Sequence, residues 1–182
     1  MTLDADRALL LKIARDAIAA HVGQSRNPES EIRNPQSAIL SRVGGAFVTL
    51  HAHGDLRGCI GHIERNERIG NVVASCAVAA CSSDPRFPPV TSSELAGIDI
   101  EISLLGPLEP IAGSADVEVG RHGLVIERGW QRGLLLPQVA TEWGWDAETF
   151  LAQTCHKAGL PRDAWKNRAE IWRFEAEVFG ER

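Results

Sequence analysis

The chain has 182 residues, enough for one domain or two tightly joined halves, and at that size roughly 70% of the unfolded surface can be buried without staples. Hydrophobic residues make up 44% and charged residues 24%, a globular balance that excludes fibrous and disordered classes. Against 24 Asp and Glu stand 19 Lys and Arg, and the resulting formal charge of −5 argues against a broad phosphate-binding surface, so nucleic acid is not an expected partner.

No apolar run approaches the ~20 residues that span a bilayer, and Met1-Thr2-Leu3-Asp4 lacks the basic segment of a signal peptide. A cytoplasmic protein with no membrane partner is expected. Cysteines at 59, 76, 81 and 155 include no Cys-x-x-Cys pair and no tetrad with zinc-finger spacing. Reduced thiols are therefore expected, with no metal site and no cofactor.

Residues 4–22 carry Leu10, Ile13, Ala14, Ala17 and Ile18 at helical spacing, with Asp4 and Asp6 at the positive end and Gly23 just past the other. A tandem heptapeptide follows, Arg26-Asn27-Pro28-Glu29-Ser30-Glu31-Ile32 and then Arg33-Asn34-Pro35-Gln36-Ser37-Ala38-Ile39. A proline in each copy excludes a continuous helix, so residues 24–38 read as a mobile surface loop with no catalytic role. Residues 45–52 and 55–61 read as strands joined at His53-Gly54, a β-hairpin that puts Arg57 and Cys59 on an ordered element.

Residues 69–81 form a small-residue helix, apolar almost all round, in which Cys76 and Cys81 are packing residues. Asp84-Pro85-Arg86-Phe87-Pro88-Pro89 has three prolines in six residues and must be a rigid extended loop. Thr91 and Glu94 have capping-box spacing for a short helix. From Ile98 to Leu104 alternation is strict, which places Glu101 on the polar face of a half-buried strand. Residues 117–119, 123–127 and 133–136 read as short strands with glycine turns at 120, 123 and 129. Pro137 suits a first helical turn, Asp146 caps a helix over 147–158, and Trp172, Phe174, Ala176 and Val178 alternate as a last strand. The sum is an α+β fold with a mainly antiparallel sheet flanked by helices, with two related halves meeting in a cleft as its extension.

The chemistry gathers at Leu56-Arg57-Gly58-Cys59-Ile60-Gly61. A guanidinium two residues from a thiol favours the thiolate, and Gly58 and Gly61 are expected to leave the adjacent backbone unshielded, the conditions for a nucleophilic or redox Cys59. His51, His53 and His62 are the candidate bases nearest in sequence. The alternative is a buried cysteine whose flanking glycines serve only close packing. Arg57 and Arg86 suit an anionic ligand, or else an internal tie such as Arg86 with Asp84 or Glu101. Glu101 suits a base or ligand contact, or a solvated strand carboxylate. His122 reads first as a turn residue and His156 as a helix-end residue.

The hairpin strand at 45–50 followed by the Leu56–Gly61 hexapeptide resembles the signature of the AMMECR domain family, called AmmeMemoRadiSam system protein A in prokaryotes. Ordered matches continue through residues 84–89, 101–105, 119–123, 133–140, 144–146 and 157–160, so that the likeness runs from the first helix to about Phe179. The resemblance implies a single α+β domain with no settled activity. It also implies, as partners, a Memo-type dioxygenase-like protein and a radical S-adenosylmethionine protein. The chain is not itself the latter, having no cluster of three cysteines. The combined expectation is a small anionic or polar ligand bound by Arg57, Gly58, Gly61, Asp84, Arg86 and Glu101 around Cys59. A cysteine-dependent enzyme and a scaffold without catalysis are the alternatives.

Overall fold

The computed structural model describes residues 2–23, 37–63 and 66–181. Most of the tandem heptapeptide, residues 26–36, lies outside them. The chain divides into two compact units, Met1–Leu105 with Glu177–Arg182, and Gly106–Ala176.

The first unit begins with helix α1, Asp4–His21, which buries Leu10, Ile13, Ala14, Ala17 and Ile18 as the periodicity requires. Ser37 caps a short 3-10 turn, Ala38–Ser41, by accepting from the Ile39 N–H. Strands β1, Ala46–Ala52, and β2, Asp55–His62, form the expected hairpin. His53 and Gly54 both have positive φ, 55° and 90°, the backbone of a two-residue turn whose twist matches its strands. Helix α2, Ile69–Ser82, is followed by the proline-rich segment and by β3, Ile98–Leu105.

The strands lie in the order β2-β1-β3, all antiparallel, with β2 at the edge. One face of this sheet carries Val48, Leu50, Ile100, Ile102 and Leu104. These merge with α1 and with Val72, Val73, Cys76, Ala77 and Ala80 of α2 in one core. Val48, Leu50, Ile100 and Ile102 are at most 1% exposed, so this face carries most of the unit's hydrophobic stabilisation.

In the second unit, β5, His122–Arg128, lies between β6, Gln131–Leu135, and the first part of β7, Glu170–Gly180; a two-residue β4, Glu109–Pro110, pairs with β7. Helices α3, Pro137–Glu142, and α4, Ala147–Lys157, follow β6. Asp146 caps α4 by accepting from the Thr149 N–H at 2.8 Å. Phe150, Leu151 and Cys155 of α4 share a core with Leu124, Ile126 and Ile171.

The fold is therefore α+β with antiparallel strands, as the order of elements predicts, with two local differences. Residues 117–119 are not a strand, because the N–H groups of Asp116, Val117, Arg121 and His122 all turn back to nearby carbonyls. Gly123 lies within β5 rather than in a turn, beneath the Phe174 ring. Among the described residues no helix is long and apolar enough to cross a membrane.

Candidate functional site

Pairing along the hairpin changes phase once. Ala52 faces Asp55 and His51 faces Leu56, but Leu50 faces Gly58, so Arg57 is the extra residue of a β-bulge. Beyond it Cys59 lies opposite Thr49, and Thr49 lies opposite Glu101 of β3. These three side chains form one row across the sheet, on the face away from the core. The next row is Gly61, Phe47 and Ser103; on the other side of the first, His51 lies opposite Asp99.

Cys59 is held by its main chain. Its N–H donates to Asp84 Oδ2 at 2.9 Å, and its carbonyl accepts from Arg86 Nη2 at 3.3 Å. Asp84 and Arg86 thus supply to the free edge of β2 the two hydrogen bonds that another strand would make. Within the pair, Arg86 donates Nε to Asp84 Oδ1 at 2.9 Å and Nη2 to Oδ2 at 2.6 Å, and its N–H reaches Oδ1 at 3.1 Å. The Arg86 hydrogen bonds hold the Asp84 carboxyl well below the usual carboxylate range, assisted by the Cys59 N–H and opposed by burial.

A second arginine ties strand to loop in the opposite sense. Arg57 donates to Glu94 Oε1 at 3.0 Å and to the carbonyls of Pro88 at 2.9 Å and Pro89 at 3.5 Å. Glu94 also accepts from the N–H and hydroxyl of Thr91, at 2.8 and 2.9 Å. The Thr91 N–H, the Arg57 guanidinium and the Thr91 hydroxyl together bring Glu94 down to about 2. The expected capping box is thus half made, and the turn behind it is a 3-10 helix, Leu95–Gly97.

Arg57, Cys59, Asp84 and Arg86 are accordingly brought together, and Glu101 shares the sheet face with Cys59. Both arginines make internal ties. The glycines differ from expectation, since neither leaves open backbone. A Cβ on Gly58 would lie 2.2 Å from the Ala80 carbonyl oxygen, so Gly58 is what lets α2 approach the sheet. A Cβ on Gly61 would lie 2.2 Å from the Phe47 ring, which rests on it.

Cys59 is half-buried as a residue, whereas Cys76, Cys81 and Cys155 are buried; all four are free thiols. The Thr49 hydroxyl donates to Cys59 Sγ at 3.3 Å. Burial pushes the Cys76 thiol up to about 12 and the Cys81 thiol up to about 11, while Cys155 is raised for the same reason. His53 stands in the turn, His62 is exposed at the end of β2, and His51 is half-buried on the polar face. His122 is buried, and its Nδ1 accepts from the Glu118 N–H at 2.9 Å. Among the described residues no three His, Cys, Asp or Glu side chains are grouped to hold a metal ion.

Sequence reasoning missed Thr49, Phe47 and Ser103. Thr49 had a signal in the alternation of β1, where it is the polar residue between Val48 and Leu50. Its meeting with Cys59 depends on the bulge.

The AMMECR1 family model matches residues 11–179. A protein of Methanothermobacter thermautotrophicus is 48% identical over 94% of this chain and 92% of its own. Protein Mbar_A1807 of Methanosarcina barkeri is 40% identical over 100% of this chain and 93% of its own. Among solved structures, that of the uncharacterized protein PH0010 from Pyrococcus horikoshii superposes with a TM-score of 0.85 at 38% identity, covering 94% of this chain and 89% of that one. On sequence and fold alike, the chain belongs to the AMMECR1 family.

Proposed function

We propose that the protein binds a small anionic or polar ligand on the polar sheet face around Cys59. In this reading it acts with Memo-type and radical S-adenosylmethionine partners in one modification pathway. The partners rest on the family resemblance alone. The observation that carries the ligand reading is the clamp on Cys59. Its backbone is fixed on both sides by Asp84 and Arg86, while the residue is only half-buried and stands in a row of polar groups. A cysteine of purely structural use needs burial, not a fixed and half-buried position on a polar face.

A second reading, a cysteine-dependent enzyme, is favoured by the Thr49 hydroxyl, which donates to the sulfur and so fixes its orientation on the polar face. One experiment bears on both. Iodoacetamide added to the folded protein should alkylate Cys59 well before Cys76, Cys81 and Cys155, as read by peptide mass spectrometry. Labelling of all four together, only on denaturation, would remove the site. Given that selectivity, Cys59→Ser separates the readings: an enzyme loses turnover with its fold intact, whereas a binding protein keeps its ligand and loses it in Arg86→Ala.

A further inference from the structure

In the second unit the connection from β4 to β5 ends in a turn that is closed twice. The His122 N–H donates to the Glu118 carbonyl at 2.9 Å, and the Glu118 N–H donates to His122 Nδ1, also at 2.9 Å. Gly120, at φ 88°, supplies the left-handed backbone of this turn, and a Cβ there would lie 3.0 Å from Thr141, so α3 packs against it. An imidazole nitrogen accepts a hydrogen bond only while it carries no proton, so the geometry fixes the neutral ring with its one proton on Nε2. The surroundings also disfavour the charged ring. His122 is 7% exposed, and burial first, then Arg173 of β7 and Arg121 of the turn, hold it below its ordinary value of 6.5, opposed by Glu118 and Glu175. Both arginines are held in place, Arg121 by Glu118 and Glu175, and Arg173 by Glu109 and the Asp116 carbonyl. Glu142 is the one ionisable residue of α3.

We propose that the Glu118–His122 turn is a proton-operated latch, which holds the β4–β5 connection on β7 at neutral pH and releases it when Nδ1 takes up a proton. Protonation sets two N–H groups against each other, so the Glu118 N–H loses its acceptor while a third cation is placed beside Arg121 and Arg173. With the turn open, Arg121 loses the fixed base from which it reaches Glu175. A depressed imidazole contributes stability that is fully present above 6.5 and is lost as pH falls below that value, so acid opens the turn. This latch involves no residue of the Cys59 face and does not depend on a ligand there.

Amide hydrogen exchange on the full chain, followed residue by residue by NMR, tests the latch. Corrected for the intrinsic rate at each pH, protection of the Glu118 N–H should fall by about threefold or more between pH 7.5 and 5, toward the limit of about tenfold per pH unit that one proton sets. The Thr149 N–H in the same unit, whose acceptor Asp146 stays ionised over that range, should keep its protection. The side-chain oxygen of asparagine can stand where Nδ1 does and does not titrate, so His122→Asn should hold Glu118 protection flat. At neutral pH the ring nitrogen signals should place the proton on Nε2. A proton on Nδ1, a pH-independent protection of Glu118 in the wild type, an equal fall at Thr149, or persistence of the wild-type fall in His122→Asn would each overturn the latch. Where His122→Asn does not fold, the wild-type contrast between Glu118 and Thr149 decides alone.

Discussion

The two faces of the β2-β1-β3 sheet are made by alternate residues of the same strands and differ in what their groups are bonded to. On the core face Val48, Leu50, Ile100 and Ile102 meet α1 and α2 with essentially no exposure. On the other face Thr49 and Ser103 are buried and Cys59 and Glu101 half-buried, and the Ser103 hydroxyl has no partner among the described residues. Stability is concentrated on one side of a single layer, which leaves the other free to hold polar groups in positions that folding alone does not favour.

That contrast breaks first at Gly58, the point where the core face is tightest. Gly58→Ala drives a Cβ into a backbone carbonyl that cannot swing aside, and urea unfolding should show a loss of about 3 kcal/mol. A loss under 0.5 kcal/mol, on the order of an ordinary surface substitution, would mean that α2 is not packed against β2 as described.

Asp84→Asn comes next, at about 2 kcal/mol near neutral pH, since it weakens the Arg86 pair and the acceptor for the Cys59 N–H. The figure is kept low because the Arg86 side chain is 53% exposed and screened by water. The sign of its pH dependence follows from a folded-state pKa below the unfolded one. The stabilisation is fully present above the ordinary carboxylate value of about 4 and is lost as pH falls through the lower folded value. The wild-type minus Asn difference should therefore be flat from pH 7 to 5 and shrink below about 4. A difference that grows on acidification would contradict the assigned bonds.

The smallest effect should be the most informative. Ser103→Ala removes a buried hydroxyl that has no partner among the described residues, so the protein should keep its stability or gain up to about 1 kcal/mol. A loss of that size would show that the hydroxyl is already satisfied in the folded protein.

Local periodicity made much of this fold legible. The helix Ile69–Ser82, the strand Ile98–Leu105, the His53-Gly54 turn and the Asp146 cap all follow from contacts within a few residues. The site was legible as a set of residues but not as an arrangement. Asp84 reaches Cys59 across 25 positions and Arg57 reaches Glu94 across 37, and no local pattern specifies either meeting. The strand expected at residues 117–119 failed for a related reason. Alternating valines favour a strand, but the turn hydrogen bonds onto the Gly113, Ser114 and Glu118 carbonyls prevail.

One inserted residue decides which way the thiol looks. From the tip of the hairpin to Leu56 partner numbers add to 107, and if Arg57 paired with Leu50 instead of bulging the same rule would set the cysteine against Val48, pointing inward. Were Arg57 taken into the ladder, every later side chain in the strand would exchange roles, burying sulfur and turning Ile60 toward water, whereas removing Arg57 altogether would leave each later pair as it is. The way this hairpin stores one surplus residue outside the ladder is here part of the chemistry.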